Sequence, residues 1–143
     1  MEVLLLQEFR QNGINVDYYS NFLDTDEGEE LYTTLSKAVP SGSRRTGLTF
    51  GDEELVYVVT YHGKTSHRKT LPWSGIQGLE KLKRMVEDVT GQTYNVCAVL
   101  KYPNGGIGIN PHRDKEMVAG TSICGVSLGA ERTISFAGDI EKT

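Results

Sequence analysis

The spacing of apolar residues changes at Gly91, and this change limits the folds open to the chain. Before Gly91, apolar residues recur at three- and four-residue steps, as on one face of a helix: Ile76, Leu79, Leu82, Val86 and Val89. The stretch Ser74-Gly75-Ile76-Gln77 has the form of a capping box and predicts the start of that helix. After Gly91 the pattern predicts strands at Thr93–Tyr102, Ile107–His112, Ser122–Leu128 and Thr133–Ala137.

The first half of the chain predicts a further helix and further strands. Asp24 is a suitable N-cap for a helix over Thr25–Ala38, which begins with several acidic residues and is stopped by Pro40. Strands are expected over Thr46–Phe50 and Leu55–Tyr61. Helices followed by successive short strands predict an α+β protein with a sheet or barrel as its core.

The length of 143 residues suits one domain, so residues 1–143 are expected to form a single unit. The net charge of −4 offers no general attraction for nucleic acid, so such binding would need local basic clusters. The candidates are Arg44-Arg45, His67-Arg68-Lys69, and the group Lys81, Lys83 and Arg84. For each cluster alone, a solvated surface is the more common interpretation.

The remaining composition indicates an intracellular, soluble protein of the cytoplasm or nucleus. Cys97 and Cys124 lie in apolar, strand-like segments, which favours reduced thiols in the core over a disulfide framework. The Val3-Leu4-Leu5-Leu6 run is too short for a signal peptide or a membrane span. We therefore expect no membrane partner, and the oligomeric state stays open.

The tripeptide His112-Arg113-Asp114 is a candidate metal site. In an extended segment, residues two apart leave the same face, so an imidazole and a carboxylate could reach one metal ion. Such a pair is half of the facial triad of non-haem Fe(II) oxygenases. A bare His-x-Asp is weak evidence for a metal site, and taken alone it favours a surface pair. A protein-kinase catalytic loop is excluded because the later Asn, the Asp-Phe-Gly and the Gly-rich loop are missing.

The residues around this tripeptide make the pattern more specific. Thr90-Gly91-Gln92-Thr93-Tyr94-Asn95 leads into an apolar strand that ends at Tyr102, and Ser127-Leu128-Gly129-Ala130-Glu131-Arg132 follows the tripeptide. In order and spacing this succession resembles the AlkB family of DNA and RNA oxidative demethylases. A looser match at Phe50-Gly51-Asp52, Tyr57 and Leu71-Pro72-Trp73 extends the resemblance over roughly residues 45 to 137.

The resemblance implies a double-stranded β-helix (jelly-roll) dioxygenase core that lacks its last strands, with N-terminal helices and a substrate lid. On this basis residues 1–92 would form an N-terminal extension and nucleotide-recognition lid. Residues 93–143 would form the first part of the catalytic β-core. The cofactor would be Fe(II), with 2-oxoglutarate and O₂ as cosubstrates, and the partner would be DNA or RNA carrying N-methylated bases.

Site residues follow from the same resemblance. His112 and Asp114 match the iron ligands, and Tyr102 matches a tyrosine that binds 2-oxoglutarate, with a strand-end tyrosine in the core as the less favoured alternative. The three substrate-binding candidates are Tyr57, Glu116 and Arg45. Tyr57 would line the base pocket, where an aromatic ring can stack on a flipped base, but an ordinary core or surface tyrosine fits as well.

The chain departs from the family pattern in two ways. Leu100 stands where the family has an asparagine that contacts 2-oxoglutarate. No histidine follows Asp114, so the distal iron ligand is lacking, and neither His62 nor His67 is assigned as a substitute. Arg132 belongs to the Ser-Leu-Gly-Ala motif and is not the arginine that binds the cosubstrate carboxylate.

Three functions are compatible with these patterns. The first is oxidative demethylation of N-alkylated bases in DNA or RNA, releasing formaldehyde and succinate, with little turnover expected from the 143-residue chain alone. The second is a catalytically inactive nucleic-acid-binding module. The third is a dioxygenase of the same fold that acts on protein.

Overall fold

A computed structural model of the chain describes residues 5–11, 13–53, 56–61, 63–108, 122–131 and 133–135. The strands among them are β1 (Leu5–Phe9), β2 (Val16–Ser20), β3 (Thr46–Gly51), β4 (Val56–Tyr61), β5 (Lys64–Lys69) and β6 (Val96–Lys101). The helices are α1 (Thr25–Ala38), a short 3-10 helix (Trp73–Gly75) and α2 (Leu79–Thr90). The fold class is therefore α+β, as predicted. No helix of the described residues is long and apolar enough to cross a membrane.

The described strands form three two-stranded antiparallel sheets, β1–β2, β3–β6 and β4–β5. The first of these precedes α1 and was not predicted, although its strands contain apolar and aromatic residues such as Leu5, Phe9 and Val16. Arg10 stabilises it by donating to the Val16 carbonyl oxygen at 2.9 Å and by pairing with Asp17. The jelly-roll arrangement remains an expectation from the family resemblance.

Helix α1 has the predicted bounds, and its N-terminus shows why. The backbone N–H of Glu27 donates to the Asp24 carboxylate at 2.7 Å, which satisfies one of the unpaired amides of the first turn. This hydrogen bond holds the pKa of Asp24 below its ordinary value. The inward side of the helix contributes Leu31, which is buried.

The core lies between α1, α2 and the β3–β6 sheet. Its buried members are Leu31, Phe50, Ile76 and Leu79. Partly buried side chains pack around them, among them Leu35, Leu48, Leu82, Val99 and Leu128. The predicted apolar face of α2 is therefore confirmed, because it supplies Leu79 and Leu82 to this core.

The predicted start of α2 is wrong. Ser74 lies inside the 3-10 helix, and α2 begins after Gly78, which has a positive φ of 92° and gives no side-chain cap. The chain turns here because Ile76 is buried in the core, so residues 76–78 form a separate turn before the helix. The end of α2 agrees with the prediction, since Gly91 is its C-cap with φ 71°.

Several strand predictions are also corrected. Strand β6 is confirmed but is shorter than Thr93–Tyr102. Residues 122–128 and 133–135, and the described start of the Ile107–His112 segment, are not strands. Among the described residues no neighbouring strand pairs with these segments, and an apolar alternating pattern without a hydrogen-bonding partner does not form a ladder. Strand β5 was missed because its residues are mostly polar.

Candidate functional site

Two of the predicted site residues lie at the same end of the β3–β6 sheet. Thr46 pairs with Lys101 as the last pair of the register, so Arg45 immediately precedes β3 where Tyr102 immediately follows β6. Arg45 is exposed and Tyr102 is half-buried. Antiparallel pairing thus brings together a cation and a phenol that are far apart in sequence.

The loop between α1 and β3 is held against this end of the sheet. The Lys101 ammonium donates to the Ser36 carbonyl oxygen at 3.0 Å and to the Ser41 hydroxyl at 2.9 Å. The Thr46 hydroxyl donates to the Pro40 carbonyl oxygen at 2.5 Å. A cavity of about 190 Å³ opens beside these contacts, and its lining includes Arg44 and Lys101. Arg45 therefore lies at the end of a loop that is fixed by hydrogen bonds.

The third described candidate, Tyr57, lies on a hairpin formed by β4 and β5, which we call the arm (residues 56–69). Tyr57 pairs with Arg68, and Tyr61 pairs with Lys64. The register therefore pairs each of these two tyrosines with a basic residue of the neighbouring strand. Aromatic and basic residues together provide stacking and phosphate attraction for single-stranded nucleic acid.

The arm leaves β3 at the end opposite to Arg45 and Tyr102. Gly51, the last residue of β3, pairs with Val96 at the start of β6, and the arm follows shortly after. The strand register therefore groups Arg45 with Tyr102 and leaves Tyr57 on a separate element. Position 62 lies outside the described residues, and Gly63 completes the connection between the two strands with φ 74°.

The base of the arm is fixed by backbone hydrogen bonds. The Gly51 N–H donates to the Leu71 carbonyl oxygen at 3.0 Å, and the Leu71 N–H donates to the Thr49 carbonyl oxygen at 2.9 Å. The buried Thr70 hydroxyl donates to the Glu53 carbonyl oxygen at 2.7 Å. These bonds connect the segment before β4 with the segment after β5.

Side chains add a second set of contacts at this base. The Trp73 indole N–H donates to Asp52 Oδ1 at 2.7 Å, and Lys83 Nζ lies 3.3 Å from the same oxygen. Lys83 Nζ also lies 5.1 Å from the centroid of the Trp73 ring, a cation–π distance. A cavity of about 280 Å³ borders Trp73, Lys83, Glu80 and Arg84. We call Asp52, Trp73 and Lys83 the base cluster.

The base cluster shows what sequence patterns missed. Lys83 was grouped with Lys81 and Arg84 as a candidate nucleic-acid contact, but it pairs with Asp52, while Lys81 pairs with Glu27 at 3.1 Å. Trp73 and Lys83 follow Asp52 by 21 and 31 residues along the chain, so no local spacing could have identified the cluster. The strand β5 had one usable signal, the glycine that follows the apolar β4 segment.

The predicted iron ligands His112 and Asp114, and the substrate candidate Glu116, lie outside the described residues. Within the described part of the chain, no group of three or more metal-binding side chains occurs. The segment carrying these residues is followed by Ser122, which is anchored by Gln92. The Gln92 amide accepts from the Ser122 N–H and donates to its hydroxyl, both at 3.0 Å.

Both cysteines are free thiols. Cys97 packs against the core as predicted, whereas Cys124 is exposed, so its predicted position in the core is wrong. Burial raises the pKa of the Cys97 thiol, and the nearby Cys124 raises it further. Burial also raises the pKa of Cys124. Neither environment is that of an activated, low-pKa nucleophile.

Comparison with known proteins identifies relatives of this chain. DNA oxidative demethylase ALKBH2 of Bos taurus is 34% identical, over 89% of this chain and 49% of the relative. The proteins of the same name from Homo sapiens and Mus musculus are each 39% identical. Those matches cover 64% and 91% of this chain, and 34% and 59% of the relatives. No family model and no solved structure matches.

The chain therefore spans about half the length of the curated relatives that it matches. The identity of 34–39% extends over most of this chain, and the proteins found share one name. The motifs that suggested the AlkB family and the relatives found by comparison lead to the same assignment. The chain belongs to the AlkB family.

Proposed function

We propose that this chain takes part in the oxidative demethylation of N-alkylated bases in DNA, with RNA as the alternative substrate. The observation that carries the proposal is the match to three proteins named as DNA oxidative demethylases. The register of the arm supports it, because each tyrosine is paired with a basic residue and this combination of residue types suits an unpaired nucleic-acid strand.

In this proposal His112 and Asp114 hold Fe(II), because an imidazole and a carboxylate are two of the three ligands of the facial triad. When bound, the metal with 2-oxoglutarate and O₂ would supply the oxidising power for removing an N-methyl group as formaldehyde, with succinate and CO₂ as the coproducts. Tyr102 holds 2-oxoglutarate through its hydroxyl. The protein's own contribution is to position the base and to exclude competing reactions.

Three residues are assigned to the substrate in this proposal. Tyr57 stacks on the base, Glu116 faces its exocyclic group, and Arg45 contacts the backbone phosphates. A flipped base must reach Tyr57 because the alkylated nitrogen is otherwise hidden in the duplex. The exposure of Arg45 at the edge of a fixed loop is consistent with a phosphate contact.

The test is a paired binding and turnover measurement on the 143-residue chain. Anaerobic titration with Fe(II) and 2-oxoglutarate measures metal binding, and release of formaldehyde from an N-methylated oligonucleotide measures turnover. His112→Ala is expected to abolish metal binding, while His67→Ala, at an exposed histidine on β5, keeps it. Equal metal binding by wild type and His112→Ala would reject the iron assignment.

A further inference from the structure

The arm depends on its base for its orientation. Among the described residues, strands β4 and β5 pack substantially only against each other. A two-stranded hairpin is marginally stable without further packing, so its direction is set where it joins the rest of the protein. That junction is the base cluster together with the backbone hydrogen bonds between β3 and the segment around Leu71.

The base cluster connects three parts of the chain at one oxygen atom. Asp52 precedes the arm, Trp73 follows it, and Lys83 belongs to α2. Asp52 Oδ1 receives donors from both of the other residues, at 2.7 Å and 3.3 Å. The Lys83 side chain is only 23% exposed, although it is charged, because it lies across the Trp73 ring. The two connections of the arm are thereby tied to each other and to a helix that is anchored in the core.

A small rotation at this base has a large effect along the arm. Six-residue strands at about 3.3 Å per residue extend roughly 20 Å, so a rotation of about 5° displaces the far end by roughly 2 Å. Tyr61 and Lys64 occupy that far end. Since a misplacement of about 1 Å can reduce a rate by about 100-fold, the rigidity of the base matters for any substrate that the arm contacts.

We infer that Asp52, Trp73 and Lys83 are positioning residues that hold the arm in the orientation required for nucleic-acid binding. The inference rests on the proposed function, because it takes the nucleic acid to be the molecule that the arm contacts. The base cluster does not touch the substrate. It acts through the arm, whose two strands pair Tyr57 with Arg68 and Tyr61 with Lys64.

The test compares two lysines of α2. Lys83→Met removes the contact with the base cluster, whereas Lys81→Met removes an ion pair with Glu27 on α1. Both changes delete one positive charge from the same helix, so their electrostatic effects on a polyanion are matched. Trp73→Phe keeps an aromatic ring and removes the donor to Asp52, and Asp52→Asn keeps an acceptor oxygen without the charge.

Two properties of the 143-residue chain are measured. Hydrogen–deuterium exchange over residues 56–61 and 64–69 reports on the arm without any ligand or metal. Fluorescence anisotropy with an N-methylated single-stranded DNA oligonucleotide reports on binding. Lys83→Met and Trp73→Phe are expected to accelerate exchange in the arm and to weaken binding roughly five- to tenfold. Asp52→Asn should show a smaller loss, and Lys81→Met should resemble the wild type in both measurements.

If the three residues of the base cluster act together, the effects of substituting them should not be additive. The double variant Asp52→Ala/Lys83→Met should bind no more weakly than Asp52→Ala alone, since Asp52→Ala already removes the oxygen that Trp73 and Lys83 share. Circular dichroism and thermal unfolding show whether each variant is folded, and the comparison uses those that are.

The outcomes separate the inference from the proposed function. If wild type binds the oligonucleotide and Lys83→Met behaves like Lys81→Met in exchange and affinity, the positioning role is rejected while the proposed function stands. If wild type does not bind the oligonucleotide, the proposed function fails, and the positioning role fails with it. Faster exchange in the arm with unchanged affinity also rejects the inference, because orientation would then be irrelevant to binding.

Discussion

Phe50 is the residue whose removal should damage this fold most, because it is buried where α2, β3 and the base of the arm meet. Its side chain is 1% exposed and packs in one cluster with Leu31, Ile76 and Leu79. Burying a phenylalanine is worth roughly 2–3 kcal/mol in transfer free energy. Phe50→Ala also leaves a cavity, so the expected loss in free energy of unfolding is about 3–5 kcal/mol.

Urea unfolding followed by tryptophan fluorescence measures this loss directly. The chain has one tryptophan, Trp73, and it packs against the same cluster, so its emission reports on the region that is perturbed. A loss of about 3–5 kcal/mol is a large part of the roughly 5–15 kcal/mol that stabilises an ordinary domain. We therefore expect Phe50→Ala to lower the urea midpoint strongly and to leave part of the chain unfolded in water.

The matched control is Phe9→Ala, the same substitution at a side chain that is 50% exposed. Phe9 pairs with Val16 across a two-stranded sheet, so its loss should cost less than about 1 kcal/mol. If Phe9→Ala and Phe50→Ala reduce the free energy of unfolding equally, Phe50 is not the centre of the core and the packing argument is wrong.

Three further predictions concern backbone conformation and ionisation. Gly47→Ala should destabilise the chain by about 1–3 kcal/mol in urea unfolding, because the new Cβ would lie 2.9 Å from a carbonyl oxygen of β6. Gly105→Ala, where nothing lies within 4 Å, should have little effect. Gly91→Ala should cost about 1–2 kcal/mol from its φ of 71° alone, since nothing crowds that position either. Cys124 should react with a thiol reagent before Cys97, with both pH midpoints above the ordinary thiol value, because burial raises both pKa values.

The raised thiol pKa values also determine how the free energy of unfolding changes with pH. A thiol whose pKa is higher in the folded state than in the unfolded state keeps its proton more firmly in the folded state. Its contribution is complete below the unfolded pKa and is lost as the pH rises through the folded pKa. The free energy of unfolding should therefore fall at alkaline pH, and Cys97→Ser should reduce that fall. An unchanged alkaline profile in Cys97→Ser, with retained packing, would contradict the assignment of the effect to this thiol.

Local patterns were sufficient for α1 and for the apolar face and the end of α2. Asp24, the acidic first turn and Pro40 define α1, because capping and the end of a helix depend on neighbours within a few residues. The apolar period that ends at Gly91 likewise predicted the buried face of α2. The motifs around His112-Arg113-Asp114 indicated the AlkB family, and comparison with ALKBH2 confirms that family. The roles of His112, Asp114, Tyr102, Tyr57, Glu116 and Arg45 stay predictions.

Long-range packing accounts for what those patterns did not reveal. Strand β5 is polar on its own and becomes a strand because its backbone pairs with β4. The start of α2 is delayed to Leu79 because Ile76 enters the core. Asp52, Trp73 and Lys83 meet because α2 packs beside the base of the arm, and that contact is invisible in sequence spacing. The change from helical to extended spacing at Gly91 could be predicted, because the spacing of apolar residues depends only on residues that are close in sequence. A packing partner that is distant in sequence cannot be predicted in this way.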